Sequence, residues 1–350
     1  MTAFSIRYPA LKQSCEGFAD SYEIKRKLGE GGYGMVYKCF AKRDRAKKNR
    51  KSYAVKKVPK DMFEPDEIKV VQYLRDSPTI VHVQAVFQEI DYTFIVMDQM
   101  RGGDMYEKLC QKGVYSEPEA KIVARTLLET IGFCQEMGVA HRDIKPENIL
   151  IENKKDDTKI RICDFGLAKK FRDDAGEDYY LYTAIGTREY AAPEVFGRED
   201  AEEHYDERCD IWSIGAVIYT IMGGYTPFEG DSPEEMEKAV CRGDFEFHEE
   251  YWGDVSQDAK AVISALMVVD PDDRCTIDEA LEYNWFASWF GRSFFNLAAD
   301  KSIPKKKPAK CFKELPNKAP LQKRAPISGQ ANAPDTISMY RHTPVTSSCS

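Results

Sequence analysis

The run Gly29-Glu30-Gly31-Gly32-Tyr33-Gly34-Met35-Val36 constrains this chain more than any other segment, because its last glycine leads into strand rather than helix. The G-x-G-x-x-G-x-V pattern is shared with folds in which the last glycine opens a helix whose amides meet a pyrophosphate. Here Val36-Tyr37-Lys38-Cys39-Phe40 continues as strand instead. The run is therefore read as a β-hairpin flap, whose glycines let backbone amides approach a ligand without side-chain obstruction. On this run alone, a plain Gly-rich turn remains the alternative.

Strand signals surround it: Tyr22 to Leu28 before, Met35 to Phe40 and Ser52 to Val58 after. Between the last two, residues 41–51 carry seven Lys/Arg and read as a solvated hairpin loop. A helix is expected over Asp66 to Leu74, then strands over Val83 to Phe87 and Thr93 to Met97. Beyond Met100 the period turns helical. Ser116 and Glu119 make an S-x-x-E capping box ahead of Ala120 to Glu136. Ile211 to Met222 is apolar on nearly every side, as a helix buried all round must be. From about Ile303 onward Pro, Lys, Ser and Ala dominate without an apolar period, so a disordered tail is expected. The expected divisions are a leader over 1–21, one domain over 22–289 with lobes at 22–97 and 101–289, and a basic tail over 290–350.

Composition narrows the class. At 350 residues the chain can build two lobes, each with its own core. Its longest apolar stretch, Ile211 to Ile221, is too short to span a bilayer, and no membrane partner is expected. The first residues lack a basic-then-apolar leader and Thr2 precludes myristoylation. The ten cysteines come no closer than 24 residues, so they read as reduced thiols rather than zinc or redox pairs. The expected location is intracellular: the cytoplasm, with the nucleus as a second compartment. The net charge of −8 conceals a tail of +7 over 300–350 and a body of −15, which argues against nucleic acid as a partner of the body.

Chemistry concentrates in a few blocks. Tyr53-Ala54-Val55-Lys56 lies on the strand after the hairpin, and a lysine facing inward there must meet anions. ATP phosphates and Glu67 are such anions; Glu64 competes with Glu67, which is preferred because Val70, Val71 and Leu74 make an apolar stripe beside it. Strand alternation puts Lys57 on the opposite face from Lys56. In Ala140-His141-Arg142-Asp143-Ile144-Lys145-Pro146-Glu147-Asn148-Ile149-Leu150, Asp143 suits a carboxylate that aligns an attacking hydroxyl and takes its proton. Lys145 suits a cation beside a migrating phosphoryl group, and Asn148 an amide ligand to Mg2+. Cys163-Asp164-Phe165-Gly166 adds a second Mg2+ ligand, Asp164. Gly186 to Glu194, Asp210 to Gly215 and Asp270 to Arg274 come after it in order.

These residues resemble the eukaryotic protein kinase family from about Tyr22 to Trp289. The resemblance implies an α+β, two-lobed fold, with a small β-rich N-lobe, a larger helical C-lobe and ATP in the cleft. It implies a nucleotide and substrate site made of Gly29, Gly31, Gly34, Val36, Ala54, Lys56, Met97, Asp98, Met100, Asp104, Glu147, Asn148, Leu150 and Asp164. Backbone at Asp98 and Met100 would bind adenine, Met97 would limit the back pocket, Asp210 would anchor the catalytic loop, and Glu194 would pair with Arg274. Lys145 with Thr187 is similar to Ser/Thr rather than Tyr enzymes. DFGLAK, DIWSIG and the DPDDRCTIDEALEYNWF ending are most similar to the calcium/calmodulin-dependent group, in its MAP-kinase-activated branch.

Regulation is expected at Thr183, where an upstream kinase would phosphorylate the activation segment, since Arg142 and Lys169 repel each other unless an anion lies between them. Asp104 and Glu147 match positions that attract an upstream basic residue in protein substrates of similar kinases. Trp285, Phe286, Trp289, Phe290, Phe294 and Phe295 recur at helical spacing and read as a core stripe. Calmodulin is the lesser alternative there, because only Arg292 supplies interspersed positive charge.

Overall fold

The computed structural model describes residues 17–31, 34–63, 65–172, 181, 186–196 and 205–287. A short helix, α1 (Phe18–Ser21), leads into a five-stranded antiparallel sheet. Its strands are β1 (Tyr22–Gly31), β2 (Gly34–Ala41), β3 (Ser52–Pro59), β4 (Val83–Gln88) and β5 (Tyr92–Asp98), in the order β1-β2-β3-β5-β4. Helix α2 (Pro65–Tyr73) comes after β3. One apolar cluster joins Cys39, Tyr53, Val55, Phe87, Phe94 and Val96, and a second joins Val58, Ile95 and Ile68 of α2.

Ahead of β1, within the stretch expected as a leader, α1 adds to the core of the sheet. Phe18 is 4% exposed and stacks on Phe94 with ring centroids 4.4 Å apart. Nothing periodic precedes it in the sequence, so burial of this single aromatic leaves no pattern to read. The basic 41–51 loop is mostly exposed, as expected, yet it is tied at both ends: the Arg50 Nη2 donates to the Ala41 carbonyl and Lys51 pairs with Asp98 at 2.9 Å.

The second lobe begins with β6 (Gly103–Asp104) and is mainly helical: α3 (Met105–Lys112), α4 (Glu117–Glu136), α5 (Cys209–Gly223), α6 (Pro233–Arg242), α7 (Glu249–Trp252), α8 (Gln257–Leu266), α9 (Ile277–Glu282) and α10 (Asn284–Ala287). Helix α4 starts at the expected capping box, where the Glu119 carboxylate accepts from both the amide and the hydroxyl of Ser116. Every residue of α5 is buried. Helices α4 and α8 pack directly on that central helix, in the core beneath the loops above it. Four short strands carry those loops: β7 (Val139–Ala140), β8 (Ile149–Ile151), β9 (Ile160–Ile162) and β10 (Lys169–Lys170). They pair as β6-β8-β9 and β7-β10. Among the described residues no helix is long and apolar enough to cross a membrane.

Candidate active site

Register in the sheet places the first set of side chains. Lys56 on β3 lies between Val36 of β2 and Ile95 of β5, and Ala54 lies opposite Met97. Lys56 therefore shares the inner face with α2, and its Nζ reaches the Glu67 carboxylate at 3.1 Å and that of Asp164 at 3.3 Å. Lys57 points the other way and lies over the Tyr92 ring at 3.7 Å. Burial alone would lower the Lys56 pKa, but the two carboxylates outweigh it and hold it well above the usual lysine value. Burial pushes Asp164 up, yet the opposing pull of Lys56 leaves it below the ordinary aspartate range. Glu67 is raised, because desolvation outweighs Lys56 there.

The loop from His141 to Asn148 is held from beneath. Asp210, fully buried at the start of α5, accepts the His141 and Arg142 amides at 2.7 Å each. Those two bonds hold Arg142 at a φ of 67°, a left-handed conformation that a non-glycine residue adopts only when its surroundings impose it. Asp143 comes next and is gripped on all sides. Lys145 Nζ lies 2.7 Å from its Oδ2, Asn148 Nδ2 donates to the same oxygen at 2.9 Å, and Thr187 Oγ1 donates to its Oδ1 at 2.9 Å. Lys145 also donates to Thr187 at 2.7 Å, which closes a ring of three side chains.

The cleft is lined as the sheets dictate. Asp98 on β5 donates its amide to the His82 carbonyl at 3.1 Å, and Met97 packs on the Val58–Ile68–Ile95 cluster behind the cleft. Leu150 of β8 sits opposite Asp104 of β6, with Met100 on the connection between β5 and β6. Asp104 caps α3 by accepting the Glu107 amide at 2.7 Å. Near it, Glu147 keeps Oε2 buried with no hydrogen-bond partner among the described residues, and burial raises its pKa. Of the glycines, Gly34 has a φ of 148°, and a Cβ there would lie 2.3 Å from the Lys57 carbonyl oxygen. A Cβ on Gly29 would meet nothing within 4 Å. Gly31 ends β1.

The profile of the protein kinase domain family matches residues 22–286. The chain belongs to that family. The kinase domain is 35% identical over 277 residues to ribosomal protein S6 kinase alpha-3 of Mus musculus, a match covering 78% of this chain and 36% of that protein. It is 36% identical over 273 residues to ribosomal protein S6 kinase 2 alpha of Xenopus laevis, covering 77% and 36%. The chain thus spans roughly a third of the length of the curated relatives it matches.

The donor set of the kinase domain fits Mg2+ held together with ATP. Among the described residues no cluster of three or more His, Cys, Asp and Glu could hold a metal unaided. Magnesium carried on phosphates needs only one or two protein oxygens, however. Asp164 supplies a carboxylate, and Asn148 spends its amide nitrogen on Asp143, which turns its oxygen to the other side. Lys56 places a largely buried ammonium beside Asp164.

Thr183 and Glu64 lie outside the described residues, as do Trp289, Phe290, Arg292, Phe294, Phe295 and the tail. Trp285 and Phe286 are each 1% exposed and belong to the core. The Arg142 guanidinium meets two neutral oxygens: Nε donates to the Leu167 carbonyl at 2.7 Å and Nη1 to the Tyr205 hydroxyl at 3.0 Å. Lys169 is solvent-exposed on β10, where it pairs with Ala140 of β7. Thr187 is legible in the sequence only as a sign of Ser/Thr preference; its bridging of Asp143 and Lys145 requires the fold. Tyr205 carries no signal in the sequence.

Proposed function

We propose that this kinase domain transfers the γ-phosphoryl group of ATP, with Mg2+, to Ser and Thr hydroxyls of protein substrates. The observation that carries this reading is the joint geometry of Lys56, which contacts Glu67 and Asp164 at once, while Asp143 stands ringed by Lys145, Asn148 and Thr187. Mg2+ would neutralise phosphate charge and fix the triphosphate's orientation. Lys56 would hold phosphate oxygens in place of part of its present carboxylate contact, with Glu67 keeping it aimed. Asp143 would align the acceptor hydroxyl and receive its proton on a carboxylate oxygen. Lys145 would offset negative charge on the transferred group, and Thr187 would keep Lys145 and Asp143 in register. Asn148 and Asp164 would hold the metal, and Met97, Asp98 and Met100 would seat the adenine.

The finer reading is a place near the calcium/calmodulin-dependent group, preference for Arg at the third residue before the acceptor through Glu147 and Asp104, and activation by phosphorylation at Thr183. The location it suits is intracellular. Calmodulin would have to act through the segment after Ala287. The test is phosphorylation of a degenerate peptide library with Mg·ATP by wild type and Asp143→Ala, with and without calcium–calmodulin. Incorporation by wild type into Ser/Thr peptides, lost in the variant, is expected. Equal labelling by both would refute the assignment of Asp143.

A further inference from the structure

Residues 17–60 carry fourteen Lys/Arg against four Asp/Glu, in a chain whose net charge is −8. Ten of those cations lie on β1 or in the 41–51 loop, and phosphotransfer uses none of the ten. The fold gathers them. Tyr22 of β1 pairs with Ala41 of β2, so the start of β1 and the loop share one end of the sheet. There Glu23 pairs with Lys25 and lies 3.7 Å from Arg50, which joins the strand's cations to the loop's. The loop itself is a folded platform. Asp44 is buried and pairs with Lys47 at 2.6 Å, the Lys42 ammonium donates to the Ala19 carbonyl, and Arg50 lies over the Phe40 ring at 4.7 Å. Lys25 holds the Glu23 carboxyl below its ordinary range, and Lys47 does the same for Asp44, so both carboxylates inside the patch are already neutralised. Arg26, Arg43, Arg45 and Lys48 are exposed and form no ion pair among the described residues.

Beside these cations runs an open sheet edge. β1 ends the order β1-β2-β3-β5-β4, so its outer row of backbone groups pairs with no strand among the described residues. Register shifts between Ile24 and Gly29, and the cations themselves, are the usual defences of such an edge against another strand. Like charges repel a basic strand and leave a neutral one unrewarded. Toward an acidic strand the same row attracts, which makes it a selector. Ile24, 38% exposed within the row, adds a contact for an apolar side chain. A lipid surface would use the charges alone, whereas an extended peptide uses both the charges and the backbone edge.

We propose that the outer edge of β1, together with the 41–51 loop, is a docking surface for an extended acidic segment of a partner protein. The segment adds to the sheet beside β1, and its carboxylates meet Arg26, Arg43, Arg45 and Lys48. The flap lies at the other end of the same hairpin, where Gly31 pairs with Gly34, roughly 20 Å or more along the strand. Occupancy of the surface therefore leaves the cleft open.

The experiment uses the full chain and a fluorescein-labelled peptide of alternating Glu and Val, about ten residues long, with binding read by anisotropy. Two comparisons isolate the two halves of the surface. The triple variant Arg43→Glu, Arg45→Glu, Lys48→Glu reverses exposed charges that hold nothing else together, and an unchanged melting temperature verifies its fold. The same peptide N-methylated throughout keeps its carboxylates and loses every donor for strand pairing. Wild type should bind the unmodified peptide at least about tenfold more tightly than the variant does, and at least about tenfold more tightly than it binds the methylated peptide. Amides of residues 24–27 should exchange at least about tenfold more slowly with the peptide bound. Equal affinity in the triple variant would remove the cations from the site. Equal affinity for the methylated peptide, or unchanged exchange on β1, would refute strand addition. A chain that ignored the peptide yet bound phosphatidylserine vesicles would assign the patch to a membrane and overturn the proposal. None of these readouts involves phosphotransfer, so their failure leaves the activity untouched.

Discussion

Arg274 and Glu194 form a forked ion pair in which the arginine side chain is wholly buried: Nη1 to Oε1 is 2.6 Å and Nη2 to Oε2 is 2.9 Å. The same guanidinium donates to the carbonyls of Arg208, Val268 and Val269, so it bolts the turn at Pro193–Phe196 to the loop between α8 and α9. A buried pair of this kind adds little net stability when intact, since desolvation offsets attraction. Breaking it is another matter. Glu194→Ala leaves an uncompensated charge and should destabilise the fold by about 3–5 kcal/mol. Glu194→Gln, which keeps an acceptor, should cost clearly less. Urea midpoints at constant m-value decide it.

Lys56 carries a second prediction, with a pH sign. Asp164 is held below its ordinary value because Lys56 outweighs the burial that would raise it. Its contribution to stability is thus fully present above the unfolded aspartate value and is lost as pH falls through the lower folded value. In Lys56→Met that pull is gone, burial is opposed by the lesser pulls of His141 and Lys145, and the folded pKa of Asp164 should rise above the unfolded one; Glu67, already raised, rises further. The variant then gains relative stability as pH falls. Its deficit against wild type should be largest near neutrality and shrink on acidification, measured by thermal melts across pH. Phosphotransfer should drop on the order of 100-fold or more, as when a preorganised charge contact is removed.

Much of this site is readable without any geometry, and for a physical reason. Asp143, Lys145 and Asn148 sit within one short loop, so their spacing along the chain is nearly their spacing in space. Strand alternation likewise separates Lys56 from Lys57, and the pair with Glu67 can be read from the apolar stripe on α2. The features that escape depend on long-range closure. Phe18 completes the N-lobe core from outside any periodic segment, and Tyr205 reaches Arg142 only because α5 and the loop before it are folded against the catalytic loop. The contacts of Arg142 escape for the same cause: its partners are a backbone carbonyl and a phenol distant in sequence.

Glu147 offers a prediction about substrate choice. Its Oε2 is buried without a hydrogen-bond partner among the described residues, a costly state that an arriving guanidinium would relieve. Burial raises its pKa, with Asp104 and Asp143 adding to the rise against its own backbone bond and Lys145. The carboxylate can attract a cation only when ionised, so preference for Arg should be full above the raised folded value and fade as pH falls through it. The ratio of kcat/KM for peptides with Arg against Ala at the third residue before the acceptor should be about tenfold at neutral pH. Its decline on acidification should set in on the neutral side of the ordinary glutamate value, where an unshifted carboxylate would still be fully ionised. In Glu147→Gln the ratio should be small and indifferent to pH. A wild-type ratio that stayed large and flat down to the ordinary glutamate value would place the cation on Asp104, whose oxygen is already committed to the amide of Glu107, and would remove Glu147 from recognition.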